Sequence, residues 1–64
     1  MNYNDKVDLE NRLAEIENNI SSYRIQIEKA KQDHSASEVT IREWKAELEQ
    51  LLIEYEEIRR ELNA

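Results

Sequence analysis

Apolar residues recur along this chain at alternating intervals of four and three. One run goes through Leu9, Leu13, Ile16, Ile20, Tyr23, Ile27 and Ala30, and a second through Ile41, Trp44, Leu48, Leu51, Tyr55, Ile58 and Leu62. Such spacing places every member at an a or d position of a heptad, on one narrow stripe of an α-helix. In water that stripe must be buried against another helix, in the same chain or in a partner. The chain contains no Gly and no Pro, so nothing in its composition interrupts helix. The expected fold class is all-α.

The centre of the chain divides the ladder. Residues 32–37, Gln-Asp-His-Ser-Ala-Ser, include no large apolar side chain, and Asp, Ser and His are mediocre helix formers. Ser35 to Glu38 has the pattern of a capping box, with Ser35 as N-cap and Glu38 reaching back to its amide. Lys29 and Lys31 just before it suit a helix C-terminus. A stop signal followed by a start signal predicts a turn. The reading is one domain, an antiparallel two-helix coiled-coil hairpin: helix 1 over about 5–32, a turn over about 33–36, and helix 2 over about 36–62. Asn4 or Asp5 is expected to cap the first helix.

The heptad phase runs unbroken through the middle, with His34 at an a site and Ser37 at a d site. A single continuous helix in an antiparallel dimer therefore remains the alternative. Both forms share one seam, in which facing residues have numbers summing to about 71. Across antiparallel flanks that sum sets Glu10 near Arg59, Lys31 near Glu38, and Arg12 near Glu54 or Glu61. Arg24 near Lys45 is an unfavourable exception. A parallel dimer would oppose Asp5 to Glu10 and Asp33 to Glu38, so charge favours the hairpin.

One buried stripe is thin for 64 residues. Further apolar residues lie off it: Val39, Ala46, Leu52 and Ile53 on helix 2, Ile25 on helix 1, and Tyr3 and Val7 near the start. Val39, Ala46, Leu52, Ile53 and Ile25 are the candidate partner-binding residues. Self-association into a four-helix bundle, as a dimer of hairpins, and docking on another protein are both expected.

Net charge is −6, and the nine Lys and Arg are interspersed with acids. That argues against nucleic acid or an anionic membrane as a direct ligand. The longest apolar run, Leu51-Leu52-Ile53, is far below a membrane span. Residues 1–10 lack the cationic start and apolar core of a secretion signal. With no Cys, a disulfide framework and thiolate metal sites are excluded. A cytoplasmic setting is expected, and the Asn, Ile, Glu, Lys and Tyr usage fits a bacterial or phage source.

Catalytic chemistry finds little to work with. Asp33-His34-Ser35 holds the one histidine, yet neighbours in sequence do not face each other on a helix or turn. His34 with Glu38 offers two metal ligands where a site takes three or four. No enzyme activity, metal or cofactor is expected. Glu43, Glu47, Glu54, Glu57 and Glu61 form an acidic flank, which reads as a solvated coiled-coil edge. An alternative is an acidic mimic of nucleic acid that blocks a DNA- or RNA-binding protein, although Arg42, Lys45, Arg59 and Arg60 interrupt the stripe.

Residues 47–55, Glu-Leu-Glu-Gln-Leu-Leu-Ile-Glu-Tyr, resemble part of the second helix of the small helical-hairpin aspartyl-phosphate phosphatases of sporulating bacteria. That resemblance implies a hairpin of about this length. The family's Ser-Gln before this stretch is replaced by Lys45-Ala46, and its Asp by Glu49. Those positions carry recognition and chemistry, so phosphatase activity stays a remote alternative.

Overall fold

A computed structural model describes residues 3–64, with side chains from Asn4 onward. Helix α1 spans Tyr3–Asp33 and helix α2 spans Glu38–Asn63, packed antiparallel along one another. The chain is a hairpin, a rod of 47 × 14 × 12 Å. Asn4 and Asp5 lie inside the first turn of α1 rather than capping it. Tyr3, one of the off-stripe apolars, has its side chain outside the described residues.

The turn is built differently from the expected capping box. His34 takes a left-handed conformation, φ 53, and Ser35 donates its amide to the Ala30 carbonyl at 3.2 Å. This is the longer bond of a Schellman stop, in which the residue after the left-handed one closes on the carbonyl five positions back. Ser35 is thereby consumed in ending α1. The N-cap of α2 is Ser37, whose Oγ accepts from the Thr40 amide at 3.2 Å and lies 3.1 Å from the Thr40 hydroxyl. Glu38 becomes the first residue of α2, where an acid suits the positive helix end. Replacing Ser37 by Ala is expected to cost about 1 kcal/mol in a urea melt. Ser35→Ala should change little, since only its backbone is used.

The seam follows the sequence ladder. Ile16 is fully buried, and with Ile20 and Ile58 it forms the core on which Leu9, Leu13, Leu48, Leu51, Tyr55 and Leu62 pack. Ile27 and Ala30 are buried nearer the turn. Cross-helix hydrogen bonds fix the register. Tyr55 donates to Glu17 at 3.0 Å, and Tyr23 donates to Glu47. These two pairs fall one position to either side of the expected sum.

Burial is unequal between the helices. Among the described residues, α1 contributes four buried apolar side chains, and α2 contributes only Ile58. Leu48, Leu51 and Tyr55 occupy seam positions of α2 yet remain half-buried. One helix cannot cover both sides of the α2 stripe.

Candidate functional site

A heptad hairpin has two broad sides, one carrying the g and c positions and the other the e and b positions, with f positions along its outer edges. The g side is bridged by two cross-helix links, and a groove of about 570 Å³ lined by Asn19, Tyr23, Glu47, Gln50, Leu51 and Glu54 remains on it. Arg12 reaches Glu54 at 3.2 and 3.3 Å, as the seam register requires, and also lies 3.6 Å from Glu15. Tyr23 and Glu47 join on the same side, which raises the Tyr23 pKa because the carboxylate holds the phenolic proton. Two of the five acidic-flank residues, Glu47 and Glu54, are thus engaged inside the hairpin. Glu43, Glu57 and Glu61 stand exposed.

The e side is open. No ion pair forms there among the described residues, whose only ion pairs are those of Arg12 with Glu15 and Glu54. Glu10 and Arg59, expected to pair, do not. The Arg59 guanidinium instead sits 5.7 Å over the Tyr55 ring. Lys31 does not meet Glu38. It lies against Lys45, whose pKa is lowered by that like charge. Tyr55 bonds to Glu17 here, and its pKa is raised, chiefly by that bond. These tyrosine–glutamate links were missed by heptad reasoning, which treats Tyr as an apolar rung. The clue was the phenol, long enough to pass beyond the seam to a flanking acid.

The apolar candidates divide between sites. Leu52 is half-buried and packs against the core from the e side. It floors a shallow depression shared with Glu17, Ile20, Ser21, Arg24 and Tyr55. It also borders a larger groove of about 580 Å³ along α2, with Lys45, Leu48, Glu49, Ile53 and Glu56 among its walls. Ile53 and Val39 are 48% and 61% exposed on the outer edge of α2, in line with exposed Ala46. Ile25 is 69% exposed on α1, beside Arg24, Glu28 and Lys29. Their shared f position puts Ile25 and the Val39–Ala46–Ile53 row on opposite edges, so one chain does not bring them together.

Among the described residues, no three His, Cys, Asp or Glu side chains gather as a metal site, and no helix is long and apolar enough to cross a membrane. His34 is exposed in the turn, and its conformation there accounts for its place. No protein-family model, curated protein or solved structure matches the chain.

Proposed function

We propose that this chain is a non-enzymatic protein–protein interaction module, a small cytoplasmic regulator, inhibitor or assembly adaptor. It self-associates into a four-helix bundle and docks on another protein through its outer apolar row. The supporting observation is that closing the hairpin leaves Ile25, Val39 and Ile53 exposed. Val39, Ala46 and Ile53, spaced by sevens on one edge of α2, suit a helix groove on a partner. The engagement of Glu47 and Glu54 within the hairpin leaves less of an acidic track for nucleic-acid mimicry.

A tagged wild-type chain, expressed in its native cell, is expected to co-purify a protein that the Val39→Asp/Ile53→Asp chain does not. The Glu43→Gln/Glu57→Gln/Glu61→Gln chain should still retain it. Both sets of residues are exposed, so circular dichroism should show either variant folded. Loss on the glutamine variant instead, with retention by the aspartate variant, would contradict this reading and favour the acidic mimic.

A further inference from the structure

We propose that a second copy of this chain covers the e side antiparallel to the first, so that the two turns lie at opposite ends of the pair. The two-fold axis crosses the rod near its middle, and each helix rests on its own counterpart. This deepens the self-association in the reading above and rests on it, by naming the face and the orientation of the copy.

Charge selects the face. Both sides of the hairpin carry a groove, lined in part by Leu51 on the g side and by Leu52 on the e side, but their charges are sorted differently. At the g and c positions, Asp5, Asp8, Glu15 and Asp33 join the five acids of the α2 flank, against Arg12 and Lys29 alone. Two copies meeting there would press nine acids on nine, and like charges face to face oppose association. At the e and b positions, six acids are interspersed with five cations. That side is nearly neutral and can meet itself. Within one hairpin its charges find little use: the ion pairs among the described residues are those of Arg12 on the g side, and Lys31 lies against Lys45.

The order of those charges selects the orientation. Ser21 on α1 and Glu49 on α2 lie opposite each other mid-rod, in the register that Tyr23 and Glu47 display. A two-fold axis passing close to them sets α1 on the copy's α1 with residue numbers summing to about 42, and α2 on α2 with numbers summing to about 98. Glu10 then meets Lys31, and Glu17 meets Arg24. On α2, Glu38 meets Arg59, and Arg42 meets Glu56. Each contact occurs twice by symmetry. Glu17 accepts the Tyr55 hydroxyl through one carboxylate oxygen, and its second oxygen can take Arg24 of the copy. Lys45 falls on Leu52, where its aliphatic stem can cover the half-buried side chain. Glu49 against its own counterpart on the axis is unfavourable. An arrangement with both turns at one end pairs Glu10 with Arg59, Glu28 with Arg42 and Lys31 with Glu38. It makes fewer opposite-charge contacts, and it sets Arg24 on Lys45 twice.

The chain has no cysteine, so a nitroxide at Ser35→Cys labels the turn uniquely. Sedimentation is expected to give 15.4 kDa, twice the 7.7 kDa of one chain. Electron–electron distance measurement should place the two turns apart by nearly the 47 Å length of the rod. Glu10→Lys should weaken dimerisation about tenfold, and Glu10→Lys/Lys31→Glu should restore it. These two residues stand about 31 Å apart on one helix, at 1.5 Å per residue, so only contact between copies can couple them. Both are exposed, so circular dichroism should show the variants folded. A monomeric mass up to about 0.5 mM, where even weak specific dimers form, would overturn the proposal, as would a mass that grows beyond two chains. So would turns within about 25 Å, two helix diameters plus the labels, or a double variant that dimerises no better than Glu10→Lys. Docking on another protein is decided separately, by co-purification with the Val39 and Ile53 variant.

Discussion

Replacing Ile16 by Ala should lower the stability of this hairpin by about 3 kcal/mol. Among the described residues, Ile16 is the only large side chain with no exposed surface, and it lies mid-seam among Ile20, Ile58 and their half-buried neighbours. Truncation removes three carbons from water-free contact and leaves a cavity that two rigid helices cannot close. A core of this size supplies only about 3–5 kcal/mol in all, so the variant should be largely unfolded at low concentration in a urea titration followed by circular dichroism. Ile25→Ala removes the same atoms from a side chain that is 69% exposed, and should shift stability by less than about 0.5 kcal/mol. Equal losses at the two positions would mean that the seam does not hold the fold. Any association would stabilise the folded form, so the comparison belongs at one fixed concentration.

The second large effect concerns the turn. Residues 33–37 hold the left-handed His34, the Ser35-to-Ala30 bond and the Ser37 cap. Replacing Asp33, His34, Ser35 and Ser37 by Ala removes the cap and the reason to stop. Alanine favours helix at each site by a few tenths of a kcal/mol, and avoids the left-handed backbone, which costs an L-residue about 1–2 kcal/mol. The heptad phase is unbroken across this segment, so a straightened chain keeps every apolar rung on one stripe. The expected product is a dimer of continuous antiparallel helices, the domain-swapped form of the hairpin. Its length should be roughly 90 Å, 60 residues at 1.5 Å each. Small-angle scattering would show the change, and a particle of unaltered length would mean that the turn is dictated by packing rather than by its own residues.

Much of this architecture is legible in the sequence because a coiled-coil seam is a periodic signal. The rungs from Leu9 to Leu62, the antiparallel sense and the Arg12–Glu54 pair all follow from the heptad. The turn was placed to within two residues, but its chemistry was not. Ser35 and Ser37 both suit a cap, and nothing local reveals that His34 would adopt a left-handed backbone in a chain without glycine. Flank pairing was legible on one side only. Lys31 met Lys45 rather than Glu38 because long exposed side chains reach neighbouring rungs about equally well, and their pairing energies are small. Leu52 also shows a limit of heptad reading. An e position is neither seam nor surface, and only the open geometry of a two-helix hairpin leaves it half-buried against the core.

The central claim is that the ladder closes on itself within one chain, leaving Ile25, Val39 and Ile53 exposed on its outer edges. Small-angle scattering of the wild-type protein over a range of concentrations tests this directly. The expected maximum dimension is about 55 Å, the 47 Å backbone rod with side chains and hydration added, and it should hold whether hairpins are single or paired. A maximum dimension of roughly 90 Å at every concentration would contradict the account, because the same ladder would then be buried between two continuous helices.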